Sequence, residues 1–347
     1  MTSDILARVE GSAGFISLNR PSALHALNVE MVAAMTAQLQ NWTTDDAVRC
    51  VIIDHSEGRG FCAGGDIRFL QESAIVGGEA GLKFFHDEYQ LNHLLFTYPK
   101  PVTAFMDGIT MGGGVGISQP AKFRVATENT RFAMPETGIG LFPDVGGGWY
   151  LSRLEGRVGQ YLALTGARIE GPGCLALGLA THYLRAESLA EAKTRIAEDP
   201  DRIEGILGQL SVTPPESKIV AQVPQINRLF ASDRFEDILA ALDSDGSDWA
   251  QKARATLSTK SPQTCKVALR QLAEGAQCST FAENMAMEYR IASRVLTRSD
   301  FIEGVRAVII DKDNAPKWNP ANPEGVIDAL IDQIFAPLPD DKEWKPL

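Results

Sequence analysis

The chain has 347 residues, of which 44% are hydrophobic and 22% charged, which allows one large domain or two smaller ones with a substantial apolar core. Its formal net charge of −11 disfavours nucleic acid and anionic membrane surfaces as partners, although a local basic patch could still bind an anionic ligand. The five cysteines include no C-x-x-C pair, so a disulfide framework and a zinc site are both disfavoured.

The sequence shows no targeting or membrane-spanning segment. Its first residues, MTSDILARVEG, have neither an apolar signal core nor an Arg/Ser-rich presequence. No stretch approaches the roughly 18 apolar residues that a membrane span needs. Together with the cysteine usage, which favours a reducing compartment, these features predict a cytoplasmic protein.

The first part of the chain alternates between strand and helix patterns. A hairpin is predicted by two alternating runs, ILARVEG and FISLNRP, on either side of a GSAG turn. A helix capped by Asn28 is predicted by the apolar spacing of NVEMVAAMTAQLQN. Strand and loop patterns then recur in CVIIDHS-EGRGFCAGGDI, PVTAFMDG-ITMGGGVGIS and FRVATENTRFAMPE. This recurrence is a weak internal repeat, which indicates stacked β-β-α units.

Beyond about residue 160 the pattern becomes helical. Helical period is seen in ESLAEAKTRIAED, DRIEGILGQL, DRFEDILAALDS and residues 280–296, with TPPESK, SDGSDW and KSPQT as turns or loops between them. We therefore predict a mixed α/β core over residues 1–200, which carries the functional loops, and a helical C-terminal region over residues 201–347.

Two glycine loops follow predicted strands, FCAGGD at residues 61–66 and MGGGVG at residues 111–116. Successive glycines let a backbone approach a ligand closely, and the second loop enters a helix, whose N-terminus favours negative charge. Taken alone, each loop could be a tight turn, with Asp66 as the N-cap of the next helix. Together they could contribute one N–H each to an oxyanion hole. Neither loop fits the dinucleotide or P-loop fingerprints, which disfavours nucleotide cofactors.

A later stretch, MPETGIGLFPDVGGGW, contains two carboxylates eight positions apart, Glu136 and Asp144, with apolar residues, glycines and prolines around them. Alone, such acids are more often turn residues than catalysts. In the company of two candidate oxyanion loops, they are better interpreted as a reacting pair. Cys62 lies in the first loop, but no basic partner is near it in sequence, so we do not predict a nucleophilic thiol.

These motifs carry a family resemblance. FCAGGDI, PVTAFMDGITMGGGVGIS and MPETGIGLFPDVGGGWYLSRL resemble the enoyl-CoA hydratase/isomerase (crotonase) superfamily, as does LNRPSALHALN. The C-terminal segments SPQTCKVALRQL, MEYR and DFIEGVRAVIIDKDNAPKWNP more closely resemble its 3-hydroxyisobutyryl-CoA hydrolase branch. The resemblance implies an α/β fold, a crotonase-like spiral of stacked β-β-α units with a C-terminal helical region. It also implies an acyl-CoA substrate, no further cofactor, no metal, and a homo-oligomer as one option.

The resemblance also assigns roles to individual residues. It places the two oxyanion donors at Gly65 and Gly113, and the catalytic pair at Glu136 and Asp144. Gly113 is then also a substrate-binding residue. Glu88, in FHDEYQLNHLL, matches a further substrate-site acid of the branch.

Arg68 matches a basic residue of the family that could meet a coenzyme A phosphate and is predicted to bind substrate, with a solvated surface arginine as the alternative. Hydratases of the superfamily have a glutamate where this chain has Gly116. The chain therefore lacks one of the two acids that hold water for hydration, which favours hydrolysis of a short β-hydroxyacyl-CoA in valine breakdown. Two alternatives stay open at this point, enoyl-CoA hydration or isomerisation and a catalytically inactive acyl-CoA-binding module.

Overall fold

A computed structural model describes residues 3–347 and contains two β-sheets surrounded by helices. Within these residues the strands are β1 Ile5–Glu10, β2 Ala13–Leu18, β3 Cys50–His55, β4 Gly60–Cys62, β5 Val102–Met106, β6 Ile109–Met111, β7 Phe123–Ala126, β8 Arg131–Ala133, β9 Ile169–Glu170 and β10 His182–Tyr183.

The helices over the same residues are α1 Val29–Thr43, α2 Ile67–Ile75, α3 Glu79–Phe96, α4 Gly113–Ser118, α5 Gly147–Leu151, α6 Val158–Thr165, α7 Gly171–Ala176, α8 Leu189–Glu198, α9 Ile203–Leu210, α10 Lys218–Leu229, α11 Phe235–Asp245, α12 Asp248–Leu257, α13 Pro262–Gly275, α14 Phe281–Val295, α15 Ser299–Val305 and α16 Asp328–Phe335. Short 3-10 turns include Glu136–Ile139, and a π-helical turn covers Arg306–Ile310.

The predicted local elements near the N-terminus are confirmed. Strands β1 and β2 form an antiparallel hairpin in which Glu10 pairs with Ala13, so the turn is shorter than GSAG. Helix α1 begins after Asn28, whose side chain accepts a hydrogen bond of 2.8 Å from the N–H of Met31. This contact satisfies one of the free N–H groups of the first helical turn.

The weak repeat in the sequence corresponds to a real spiral. A six-stranded sheet has the order β1-β2-β3-β5-β7-β10, and a four-stranded sheet has the order β4-β6-β8-β9. Successive pairs β3–β4, β5–β6 and β7–β8 each place their first strand in the large sheet and their second in the small one. The pairings β3·β5·β7 and β4·β6·β8 are all parallel. The predicted fold of stacked β-β-α units is therefore confirmed.

The parallel small sheet determines where the functional loops meet. Because β4, β6 and β8 run in the same direction, the segments that follow them leave the sheet at the same edge. The first two segments are the glycine loops, and the third is Met134-Pro135-Glu136. Three motifs that are far apart in sequence thus meet at one edge of the small sheet.

The helices of the C-terminal part pack against the strands and helices that precede them. Within residues 3–347 the last strand, β10, ends at Tyr183, and the later elements are helical. One continuous hydrophobic cluster includes Phe132 and Leu162 from the earlier part and Leu269 and Met285 from α13 and α14. The placement of a boundary near residue 200 stays a prediction.

Over the described residues, no helix combines the length and hydrophobicity needed to cross a bilayer. The His, Cys, Asp and Glu side chains of residues 3–347 likewise form no group of three that could hold a metal ion.

Candidate active site

The three converging loops line a cavity of about 500 Å³. Its wall includes all five residues predicted as catalytic acids, oxyanion donors or the further substrate-site acid, namely Gly65, Glu88, Gly113, Glu136 and Asp144. Apolar side chains complete much of the lining, including Leu70, Phe84, Phe85, Leu141 and Val145. The structure therefore brings the predicted site residues together, with the exception of Arg68.

The two glycine loops approach each other closely. Gly64 and Gly112 have positive φ angles of 123° and 46°, which side chains rarely allow, and a Cβ built on Gly112 would lie 3.2 Å from the Cα of Gly64. Within residues 3–347 the N–H of Gly65 donates no hydrogen bond. Gly113 is the first residue of α4, so its N–H has no partner inside the helix. Two N–H groups from adjacent loops are thus free to bind one oxygen atom of a ligand.

Both loops are also packed against carboxylates. A Cβ on Gly113 would lie 2.7 Å from Oε1 of Glu88, and one on Gly112 would lie 3.3 Å from Oε1 of Glu136. A side chain at either glycine would therefore collide with an acid or displace it. The glycines are required here by close approach as well as by backbone conformation.

The three acids of the cavity are almost completely removed from solvent, with exposed fractions of 2% for Glu88, 5% for Glu136 and 4% for Asp144. Burial raises the pKa of Glu88 and of Glu136 well above the ordinary value, and the nearby Asp144 raises both further. Burial also raises the pKa of Asp144 to about 7, against a lowering by the hydrogen bond from the hydroxyl of Tyr89 at 3.0 Å. Oε1 of Glu88 and Oε2 of Glu136 have no hydrogen-bond partner among residues 3–347. Buried, strongly perturbed acids with unused oxygens are typical of reacting groups.

Lys260 is a cation in the cavity lining whose charge acts on Glu136. Its half-buried side chain lines the cavity. A Cβ built on Gly138, which lies two residues after Glu136, would be 3.2 Å from the Nζ of Lys260. Burial lowers the pKa of Lys260, whereas the charge of Glu136 raises it. In return, the ammonium group lowers the pKa of Glu136. No hydrogen bond or ion pair holds the Lys260 ammonium group within the described residues.

The turn that carries Asp144 has an unusual backbone. Val145 has a φ of 51°, although a β-branched residue rarely adopts the left-handed region, and Gly146 follows with a φ of 92°. Helix α14 contacts this turn through the buried carboxylate of Glu288. Its Oε2 accepts from the N–H of Gly146 at 2.7 Å, and its Oε1 accepts from the N–H of Gly148 at 2.9 Å.

The packing around Gly116 leaves no room for a side chain at the position where the resemblance to hydratases implies a glutamate. A Cβ on Gly116 would lie 2.7 Å from the Cβ of Val145 and 2.8 Å from Nδ2 of Asn92. Even an alanine would require the neighbours to move. The space in which a second hydratase glutamate would extend is therefore already filled by the Asp144-bearing turn and by α3.

Three other predicted residues lie around the first loop. Asp66 caps α2 by accepting from the N–H of Phe69, as expected, and it also pairs with Arg20 at 2.8 Å. Arg68 is exposed outside the cavity lining and makes a long contact of 3.4 Å with the carbonyl of Ile309, so its coenzyme A role stays a prediction. Cys62 is buried, and burial raises the pKa of its thiol to about 12, which agrees with an unreactive cysteine.

Sequence reasoning did not identify Tyr89, Lys260 or Glu288 as parts of the site. Tyr89 directly follows Glu88, so the helical motif already contained it. Lys260 precedes the SPQT motif, and Glu288 lies within MEYR, which are the segments that carry the C-terminal resemblance. Those segments marked a relationship to a family, but nothing local indicated that they reach the cavity.

The comparisons with known proteins agree with the fold and with the converging loops. A family model described as enoyl-CoA hydratase/isomerase matches residues 13–335. The chain therefore belongs to the enoyl-CoA hydratase/isomerase family.

Within that family, the curated relatives include mitochondrial 3-hydroxyisobutyryl-CoA hydrolases. The protein from Danio rerio is 43% identical over 99% of this chain and 92% of its own length. The protein from Xenopus laevis is 45% identical over 94% of this chain and 87% of its own length. Among solved structures, a carnitinyl-CoA dehydratase from Mycobacterium thermoresistibile is 37% identical, covers 99% of both chains and superposes with a TM-score of 0.94.

The same relatives overturn the predicted compartment. The names of the hydrolases from Danio rerio and Xenopus laevis place them in mitochondria, so the prediction of a cytoplasmic protein is wrong. The cysteine argument concerned only a reducing environment, which is not unique to the cytoplasm. A folded core contains no physical record of the compartment to which a chain is delivered.

Proposed function

We propose that the chain hydrolyses a short β-hydroxyacyl-CoA thioester, with 3-hydroxyisobutyryl-CoA as the substrate. The observation that carries this proposal is a buried Glu136 beside two free backbone N–H groups, in a site where Gly116 leaves no room for a second hydratase acid. The similarity to 3-hydroxyisobutyryl-CoA hydrolases over almost the whole chain supports the same substrate.

The glycine loops would bind the thioester carbonyl. When a nucleophile attacks the carbonyl carbon, negative charge develops on its oxygen, and the N–H groups of Gly65 and Gly113 would stabilise that charge. Each such donor is worth roughly 3–4 kcal/mol in the transition state when water is excluded. Because the cavity is lined largely by apolar side chains, this stabilisation is not diluted by solvent.

Glu136 would act on the carbonyl carbon in one of two ways. As a nucleophile, its carboxylate forms a mixed anhydride and expels the coenzyme A thiolate, and water then hydrolyses the anhydride. As a general base, it takes a proton from water while that water attacks, and the thiol leaves as the tetrahedral intermediate collapses. A raised pKa favours the second role, because it makes the carboxylate a stronger base. Rapid-quench mass measurement of the Glu136 peptide distinguishes them, since only the nucleophile gains the acyl mass.

Asp144 and Glu88 would orient the reacting groups. Both face the cavity with raised pKa values, so burial favours their protonated forms, which can donate a hydrogen bond as well as accept one. We assign to Asp144 the positioning of the attacking water or of the substrate hydroxyl. Glu88, whose Oε1 has no partner within the described residues, would contact the acyl part.

Further proposals follow from this assignment. Coenzyme A enters as part of the substrate, and the reaction as written needs no further cofactor or metal ion. A role in valine breakdown is implied only if 3-hydroxyisobutyryl-CoA is the physiological substrate. Homo-oligomer formation stays a prediction, which light scattering coupled to size exclusion would test directly.

The proposal is tested by an acyl-CoA panel scored for free thiol and for enoyl absorbance in the same samples. Hydrolysis predicts thiol release from 3-hydroxyisobutyryl-CoA without a change in enoyl absorbance. Hydration or isomerisation predicts a change in enoyl absorbance without thiol release. The Mycobacterium thermoresistibile structure is named as a dehydratase, an activity that would likewise change the enoyl absorbance without releasing thiol. Tight coenzyme A binding without turnover of any thioester would instead indicate an inactive binding module.

A further inference from the structure

Glu288 is a buried acid that the proposed reaction does not use. It lies on α14 with no exposed surface, 142 residues along the chain from Gly146, and its side chain extends to the turn that carries Asp144. Its two oxygens accept hydrogen bonds from four N–H donors, which are the backbone N–H groups of Gly146 and Gly148 and the side-chain amides of Gln271 and Asn284. Burial raises the pKa of Glu288 to about 7, whereas these N–H donors favour its ionised form, so all the hydrogen-bonding capacity around the carboxylate is directed at accepting.

The turn bound by Glu288 is strained and directly adjoins the reacting acids. Val145 occupies the left-handed region at a φ of 51°, a conformation that costs of the order of 1–3 kcal/mol and persists only when the surroundings impose it. Gln271 adds a second contact to the same turn, because its Nε2 donates to the carbonyl of Pro143 at 2.6 Å. The turn is thus fixed on both sides of Asp144 and Val145, at Pro143 and at Gly146.

This restraint determines two features of the cavity. Asp144 lies two residues before Gly146, so the position of its carboxylate follows from the position of the turn. The side chain of Val145 fills the space next to Gly116, because a Cβ on Gly116 would lie 2.7 Å from the Cβ of Val145. If the turn relaxed, Asp144 would move away from the reacting groups and Val145 would open space for water.

We propose that Glu288 is a positioning residue for the hydrolysis, which holds the Pro143–Gly148 turn in its strained conformation and thereby aims Asp144 into the cavity. The inference rests on the proposed function, since it assigns the effect to the reaction step. Glu288 itself lies outside the cavity lining and acts through the turn.

The test compares E288Q with D54N. In E288Q one donor amide replaces an acceptor oxygen, so Gly146 or Gly148 loses its partner while side-chain volume is kept. Asp54 is the matched control, because it is also a buried carboxylate that accepts from two donors, Ser17 Oγ and Lys193 Nζ, at 2.5 Å each. It lies in β3 of the large sheet, away from the Asp144 turn. We expect E288Q to lower kcat about tenfold or more with KM within threefold. D54N should keep kcat within twofold even if its melting temperature falls equally.

A double-mutant cycle with D144N tests whether Glu288 acts through Asp144. If it does, E288Q should lower kcat by less than about threefold in the D144N background, because the group that it positions is already gone. If E288Q does not fold, Q271M removes the donor to Pro143 and should give a smaller loss of kcat in the same direction. An unchanged kcat in E288Q, an equal loss in D54N, or additive effects in the cycle would each overturn the proposal.

Hydrogen exchange separates this proposal from the proposed function. The amides of residues 144–148 should exchange faster in E288Q than in the wild type, and no faster in D54N. If the wild type releases no thiol from any acyl-CoA, the proposed hydrolysis is wrong, although the restraint on the turn is still measured. If thiol is released and the turn is loosened in E288Q without a loss of kcat, only the positioning role is wrong.

Discussion

Replacing Asp144 with asparagine should make the protein more stable at alkaline pH while it abolishes the role proposed for the carboxylate. Asp144 is buried, and its one hydrogen-bonded side-chain partner is the neutral hydroxyl of Tyr89. Burial raises its pKa from 3.8 to about 7, because the folded protein resists the charged form. An asparagine has nearly the same shape and can still pair with Tyr89, but it never ionises.

The magnitude follows from the difference between the two pKa values. Below pH 3.8 the carboxyl is neutral in both the folded and the unfolded chain, so it contributes nothing to the pH dependence of stability. Between pH 3.8 and about 7 the unfolded chain ionises while the folded protein stays protonated, so stability falls as the pH rises. A pKa difference of about 3 corresponds, at 1.36 kcal/mol per unit, to about 4 kcal/mol of stability lost above pH 7. For a chain of this length that is about 5 °C in melting temperature.

The assay is thermal unfolding of wild type, D144N and D54N between pH 5 and pH 8. The advantage of D144N over the wild type should grow by between about 2 and 3 kcal/mol across this range. D54N should be less stable than the wild type, because it leaves the Lys193 ammonium group without its buried partner. The reasoning is refuted if D144N is no more stable than the wild type at pH 8, or if its advantage does not increase with pH.

Three further substitutions probe the cavity. G113A adds a Cβ 2.7 Å from Oε1 of Glu88, so steady-state kinetics should show a loss of kcat of about tenfold or more, and an unchanged kcat would contradict the oxyanion role of this loop. G116E should lower the melting temperature and give no hydration in an enoyl absorbance assay, because Val145 occupies the space that the acid would need; a folded, hydrating variant would disprove this. K260M removes the cation that lowers the pKa of Glu136, so the acid limb of the kcat/KM profile should move to higher pH, and a profile that stays in place or moves to lower pH would show that Lys260 does not act on the reacting acid.

Local sequence was sufficient to predict the elements that local chemistry determines. Asn28 caps its helix because its side chain reaches an N–H three residues away, and that spacing is visible in the sequence. The glycines at 64 and 112 adopt backbone angles that other residues avoid, so their presence at the ends of strands was informative. The recurrence of strand and loop patterns indicated stacked β-β-α units, and the structure adds that parallel pairing of the equivalent strands aligns the loops that follow them.

The remaining site residues could not be predicted because their partners are distant along the chain. Tyr89 and Asp144 are separated by 55 residues, and Glu288 and Gly146 by 142 residues. No periodicity or motif spacing encodes such a contact, which depends on how α3 and α14 pack on the core. Burial of the acids was equally unreadable, although it is what raises their pKa values.

The most direct test of the proposed chemistry is thiol release from 3-hydroxyisobutyryl-CoA by the wild type and by E136Q. Glutamine keeps the size of Glu136 but can neither attack the carbonyl carbon nor accept a proton from water. The wild type should release one thiol per acyl group with no change in enoyl absorbance, and folded E136Q should be slower by about 10²–10⁴-fold. Equal rates for the two proteins, or no thiol release by a wild type that changes enoyl absorbance, would contradict the account.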